Sequence, residues 1–229
     1  MTDIGDVNFG TQIGRGFIGK VVTAILGIFG SIIIARIVGP SGYGVFYVSL
    51  ALTQFLENPM TGWSVACKKR MTEDNFNASE ALGSVILVIL GIIFIYGPIS
   101  FLILTTITSN PVIPVAVPLL LISISSYWAL NIVLSGRGNF SSYVWTGSVN
   151  TLVQIIGKVA LVILGFGVWG MVVGTIIGPV LVLPLVYKWI GIRPSVPSLE
   201  SLSSIVDYAR WSIPDGLLGT ALSRMDIVL

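Results

Sequence analysis

The sequence contains no histidine and a single cysteine, Cys67. Without histidine there can be no histidine-ligated metal site and no Ser-His-Asp triad. One thiol supports neither a disulfide framework nor a cysteine metal cluster. No cofactor and no enzymatic activity are therefore expected. Charge is scarce as well. Only 10% of residues are charged, against about 25% in a soluble domain. The net charge of +2, with no basic cluster interleaved with aromatics, excludes a nucleic-acid partner.

Apolar residues are what fill the chain. They make up 54% of it, and the mean hydropathy is +0.95. A 229-residue globule does not need so much apolar surface, whereas a bundle facing lipid on its outside does. The expected fold class is all-α integral membrane, with the lipid bilayer as principal partner. Spanning the hydrocarbon takes about 20 apolar residues. Six segments qualify: Phe17–Val38, Val45–Ala66, Ala81–Ile107, Val112–Ser135, Tyr143–Phe166 and Val168–Ile190. Their short connections imply antiparallel neighbours. A seventh apolar stretch opens near Ile213 and is still running at Leu229, too short for a comfortable crossing. The expected organisation is a six-helix lobe over residues 1–190, a linker over 191–212, and the start of a seventh helix over 213–229, where the chain looks cut. Met1–Gly10 is polar and carries Asp3 and Asp6, so the first span reads as a retained start-transfer segment rather than a cleaved signal.

Lys and Arg set the orientation. Arg15 precedes span 1, Lys68, Lys69 and Arg70 follow span 2, and Arg137 follows span 4; Lys188, Arg193 and Arg210 come after span 6. All lie on one side, and the opposite side has only Arg36. The prediction is a multi-pass protein of the cell membrane with a cytoplasmic N-terminus. In the linker, Pro194 and Pro197 break the helix, and Ser198 offers an N-cap for a short interfacial helix with Leu199, Leu202, Ile205 and Val206 on one face.

Proline and polar residues at membrane depth carry the remaining signal. Pro59, Pro98, Pro114, Pro118, Pro179, Pro184 and Pro214 fall within or at the ends of spans, where each removes a backbone hydrogen bond. Such kinks shape bundles, and in transporters they also serve conformational switching. A charge at the bilayer centre costs about 2.5–3.5 kcal/mol on insertion scales, so each one needs a reason. In span 2, Gln54, Glu57, Asn58 and Thr61 share a helical face. That face either packs against neighbouring helices or lines an aqueous cavity with Glu57 as a proton or cation site. In span 5, Asn150, Gln154 and Lys158 follow i, i+4, i+8 spacing alongside Gly147 and Thr151. Lys158 sits toward the outer side while helical side chains lean toward the N-terminus, which favours a cavity-facing ammonium over snorkelling. Lys20 shares a face with Gly16, Thr23, Gly27, Gly30 and Ser31 and is placed to snorkel to the cytoplasmic side; Asp215, Arg224 and Asp226 put three charges into the start of span 7. A polar, mildly cationic interior suits an anionic or sugar-bearing substrate.

The run Ile34-Ala35-Arg36-Ile37-Val38-Gly39-Pro40-Ser41-Gly42-Tyr43-Gly44 resembles the "ARxxGPxxYG" turn of polysaccharide and lipid-linked oligosaccharide flippases, in the multidrug/oligosaccharidyl-lipid/polysaccharide exporter superfamily. In physical terms Gly39 can end a helix, Pro40 enforces the stop, and Gly42 and Gly44 permit a tight return. Further matches are Lys68-Lys69-Arg70, the stretch Leu134-Ser135-Gly136-Arg137-Gly138-Asn139-Phe140, and Gly165-Phe166-Gly167-Val168-Trp169-Gly170. Tyr208-Ala209-Arg210-Trp211-Ser212-Ile213-Pro214 with Ser223-Arg224-Met225-Asp226-Ile227 resembles the opening of the family's seventh helix. The chain departs from the family in carrying Glu57-Asn58-Pro59 where many members have an Asp-Leu-Gly-like stretch, and in ending where the family has further helices. The resemblance implies one lobe of a two-lobe transporter that passes a polyprenyl-phosphate-linked saccharide across the membrane by alternating access. Lys158 and Lys20 are then candidates for phosphate contact. An ungapped overlay of span 7 on span 1 places Asp215 on Lys20, so that these two would pair across the cavity floor in one state. Two other readings remain open. One is a small-molecule or multidrug antiporter of the same superfamily coupled to H+ or Na+ through Glu57; the other is an inactive, truncated membrane protein.

Overall fold

The computed structural model describes residues 9–73 and 77–223, with side chains described at 21, 23–73 and 77–219. Among the described residues the only regular structure is helical: α1 Phe9–Leu56, α2 Asn58–Met71, α3 Ala78–Gly91, α4 Gly97–Ile107, α5 Val112–Gly136, α6 Phe140–Ile163, α7 Gly167–Ile190 and α8 Leu199–Ser223. Five helical runs are long and apolar enough to cross a membrane: Thr23–Leu56, Ala78–Ile107, Val112–Gly136, Phe140–Ile163 and Gly167–Ile190. Their outer faces carry large exposed apolar groups. Phe94 and Ile107 expose 73% and 75% of their surface, a disposition that suits lipid and not water.

Five runs stand where six full spans were expected, and the difference lies at both ends of the second. The first two expected spans fall in one helix, yet Gly39, at φ 76° and ψ 170°, is non-helical inside it. Only a residue without a Cβ takes that backbone readily. In a straight helix Ile34 and Phe46 would lie about 18 Å apart, yet they share one core cluster. Gly27, Tyr43 and Tyr47 likewise line one cavity. The chain therefore folds back at Gly39. Pro40 begins the second helical run, where its missing N–H costs nothing. Gly42 lies inside that run, in a space that a Cβ would share with Val168 of α7.

The second expected span is interrupted at Glu57, because Pro59 has no N–H to offer the carbonyl of Phe55. The side chain of Asn58 replaces that donor, its Nδ2 lying 3.2 Å from both Phe55 O and Gln54 O. Thr61 N still bonds to Glu57 O at 3.0 Å, so helical hydrogen bonding resumes at once. In the third run, Pro98 follows directly on a π-helical segment, Ile92–Tyr96, closed by Gly97 N–H to Ile92 O. Widening the turn takes the proline ring away from the carbonyl with which it would clash.

α5 is the axis of the bundle and contacts α1, α2, α3, α4, α6 and α7. Two apolar cores flank it. One joins Met60, Leu82, Leu121, Val133, Val186, Ile190 and Ile205, toward the end that carries the basic residues. The other joins Ile34, Phe46, Leu120, Val162 and Met171, near the Gly39 fold. α6 and α7 pack backbone to backbone: a Cβ on Gly174 would collide with Lys158 N and Gly157 C. Such small-residue seams let helices approach closely in lipid.

The linker is better ordered than its prolines suggest. Gly191 closes α7 in the left-handed region, at φ 68°. Ser195 N then bonds to Ser79 O at 3.1 Å. Glu80 Oε2 accepts from Ser198 N, Ser198 Oγ and Ser201 Oγ at 2.9, 2.7 and 2.6 Å. α8 starts at Leu199 as expected, but runs without interruption through Pro214 to Ser223. The expected interfacial helix and the start of the seventh span are one element.

Candidate functional site

α6 presents two different polar faces. The hydroxyls and small residues Gly147, Ser148 and Thr151, with Ile155, line a cavity of about 460 Å3 shared with Thr23, Ala24 and Gly27 of α1, Trp128 and Asn131 of α5, and Tyr143. A second cavity, of about 210 Å3, continues past the same Gly27 and Ile155 to Lys158, enclosed by Gly30, Ser31 and Ile34, by Tyr43, Phe46 and Tyr47, and by Met171 of α7. The two make one groove between α1 and α6 that ends in an ammonium. It stays open because Gly27 and Gly30 take the place of side chains beside Ile155 and Val159.

Asn150 and Gln154 do not face this groove. Gln154 Nε2 donates to Asn150 Oδ1 at 3.1 Å. Both pack on Gly178 of α7, where a Cβ would lie 2.5 Å from Gln154 Cγ and 2.7 Å from Asn150 Oδ1. The i, i+4, i+8 set is thus divided: Lys158 lines a cavity, and the two amides lock α6 to α7.

Gln54, Glu57 and Asn58 gather at the α1–α2 junction. Asn58 is buried and Gln54 partly so. Glu57 Oε2 is buried with no hydrogen-bond partner among the described residues. Neither cavity includes any of the three. Asp215 is exposed on α8. The side chain of Lys20, and Arg224 altogether, lie outside the described residues, so the expected Lys20–Asp215 pairing stays an expectation.

Sequence reasoning passed over several residues that complete the site. Tyr43 OH donates to Tyr47 OH at 3.1 Å, beside Lys158. Thr146 Oγ1 donates to Asn131 Oδ1 at 2.7 Å, and Asn131 Nδ2 to Tyr127 OH at 3.3 Å, a buried network under the wider cavity. Tyr127 and Asn131, like Tyr43 and Tyr47, stand at i, i+4. That spacing was the available signal.

Residues 33–229 match the model of a family described as polysaccharide biosynthesis protein. The chain belongs to that family. The assignment agrees with the motif resemblance at the Gly39-Pro40 turn. Two solved structures share the fold of this polysaccharide biosynthesis family member. One is a mutant MATE protein, with TM-score 0.63 and 18% identity over 90% of this chain and 53% of that one. The other is a MOP superfamily transporter from Pyrococcus furiosus, described as having a binding pocket of reverse polarity; its TM-score is 0.61 and its identity 17%, over 90% and 52% of the two chains. The chain spans about half the length of either structure. No curated protein matches it.

Proposed function

We propose that this chain supplies the first lobe of a transporter that moves a polyprenyl-phosphate-linked saccharide across the cell membrane by alternating access. In this reading Gly39 separates spans 1 and 2, the first lobe has six crossings with a cytoplasmic N-terminus, and α8 opens the second lobe. The groove between α1 and α6 carries the proposal. It is lined by hydroxyls and glycines along one length and closed by Lys158, which suits a sugar attached to an anion. The polysaccharide biosynthesis family supports the substrate class.

The test is flipping of a fluorescent lipid-linked saccharide by the complete protein in liposomes, followed by quenching from outside. Thr151→Trp, which fills the groove from an exposed position on α6, should slow flipping about tenfold or more, a barrier increase of at least about 1.4 kcal/mol. Wild-type liposomes no faster than empty ones would remove the proposal. A second reading, an H+- or Na+-coupled small-molecule antiporter, is favoured by the buried Oε2 of Glu57, which has no hydrogen-bond partner among the described residues. Gradient-driven export of a cationic dye, abolished by Glu57→Gln, would establish it instead.

A further inference from the structure

Trp128 is the one indole in the wider cavity, set among hydroxyls and small residues. Its ring is held in place from behind. Tyr127 meets it edge to face, with centroids 5.4 Å apart and planes at 67°. Tyr127 is itself fully buried and accepts from Asn131 Nδ2 at 3.3 Å. The side that is not packed, 36% of the residue's surface, is open. On α6, Gly147 borders the same cavity, and a Cβ there would meet nothing within 4 Å. A glycine inside a helix is costly, and here no packing contact requires it. What it preserves is open space in the cavity.

The two α6 hydroxyls that line it are committed in a specific way. Ser148 Oγ donates to Val144 O at 3.2 Å, and Thr151 Oγ1 to Gly147 O at 2.9 Å. With their hydrogens engaged by the helix, both offer a ligand lone pairs only. A ligand that meets them must bring its own donors. Sugar hydroxyls do so, and a carboxylate does not. Charge points the same way. Among the described residues no Lys, Arg, Asp or Glu lines this cavity. Lys158 lines the narrower one, seven residues and about 10 Å farther along α6 than Thr151. An ionised group in the wider cavity would lose water without gaining a counter-charge. Indole completes the set. A pyranose with equatorial hydroxyls has a face of axial C–H bonds, whose positive hydrogens suit the negative face of an aromatic ring.

We propose that the wider cavity selects one uncharged pyranose ring, with Trp128 stacked on its C–H face and Ser148 and Thr151 accepting from its hydroxyls. The proposal rests on the transport reading for the kind of ligand, and adds the class of sugar, which that reading leaves open. The volume of about 460 Å3 lies within the roughly 300–1,000 Å3 of pockets that enclose a small ligand.

Calorimetric titration of the complete protein in detergent tests it with three probes: a short prenyl phosphate alone, the same carrier bearing glucose, and the carrier bearing glucuronic acid. The glucosyl probe should bind about tenfold or more tighter than either of the others, as fits two hydrogen bonds and a stacked ring. Trp128→Ala should weaken the glucosyl probe about three- to tenfold. Ser148→Ala combined with Thr151→Val should weaken it about fivefold or more. Neither variant should change the affinity for the bare carrier, a split that a merely structural defect would not produce. Trp128→Phe should keep most of the glucosyl preference. Trp145→Ala, at an exposed position of α6 outside both cavities, should leave it unchanged. Should Trp128→Ala not fold, the Ser148 and Thr151 double variant and the three probes on wild type decide the matter. A wild-type protein that does not prefer the glucosyl probe to the other two overturns the subsite, and so does wild-type affinity for it in Trp128→Ala or in the double variant. Glucose-dependent binding without flipping refutes the transport reading alone, and flipping without that preference refutes this one alone.

Discussion

Asn131 is fully buried between α5 and α6, and its side chain is satisfied only because Tyr127 and Thr146 stand within reach. An amide in that position ties two spans together at one register, because it cannot be left unpaired cheaply. Thr146→Val should destabilise the protein by about 1–2 kcal/mol, since it keeps the shape and strands Asn131 Oδ1. Thr146→Ser should cost much less. Adding Asn131→Leu to Thr146→Val should recover part of the loss, because both partners of the bond are then gone. Unfolding titrations of the four proteins in mixed detergent measure this. A Thr146→Val protein as stable as wild type would reduce the network to a packing coincidence. Asn58 shows the same economy at a break in the helix: its amide answers the carbonyl that Pro59 leaves without a donor. The polar cluster Gln54, Glu57, Asn58 was visible in sequence. That one member would be occupied with repairing the backbone was not, because i, i+4 spacing gives a face and not a partner.

At the scale of elements, α8 depends on a residue from another helix. Ser198 is its N-cap, with Ser201 N bonded to Ser198 Oγ at 3.2 Å. Where a capping box would place a Glu at the third helical position, this helix has Ser201. The carboxylate comes instead from Glu80 of α3, which gathers Ser198 and Ser201 together. Glu80 is itself presented by the Asn77 cap, whose Nδ2 lies 3.2 Å from Glu80 Oε1. The linker is thereby pinned to the N-terminus of α3. Glu80→Ala should raise amide hydrogen exchange over residues 195–202 while leaving α5 and α6 unchanged, as expected when one local opening loses its restraint. Unchanged protection there would mean that the helix is capped without Glu80. Further along, Ser212 Oγ donates to Gly62 O at 2.9 Å, and Ile213 fills the space a Cβ on Gly62 would need. This packing on α2 carries α8 past Pro214, which is why a helix expected to end as an interfacial segment continues. Helix existence and the Ser198 cap were legible from local chemistry. The length of α8 and the role of Glu80 were not, because both depend on residues more than 100 positions away.

For the whole molecule, the charge distribution and the fold give the same axis. Lys68, Lys69 and Arg70 end α2, Arg137 follows α5, Lys188 ends α7, Arg193 precedes α8 and Arg210 lies in its first half. The fold at Gly39, the α4–α5 turn and the α6–α7 turn occupy the other end, where Arg36 is the only cation among the described residues. The positive-inside rule predicts that such an end stays on the cytoplasmic side. Seven cationic positions pointing one way leave little room for a dual orientation, since each cation near a span adds to the same bias. Cys67 makes the test practical. It is buried against Ser84 and the sequence has no other thiol, so Cys67→Ala gives a background without cysteine. In that background, Ser109→Cys and Phe166→Cys lie at the sparsely charged end, and Phe140→Cys and Val196→Cys at the basic end, all four at exposed positions. A membrane-impermeant maleimide added to intact cells should label the first pair and reach the second only after the membrane is opened. Labelling of the second pair from outside would invert the molecule. Lys158 would then lie nearer the cytoplasmic face; its lean toward the N-terminus of α6 would still carry it away from that face, so the groove between α1 and α6 would keep its ammonium but end toward the cytoplasm.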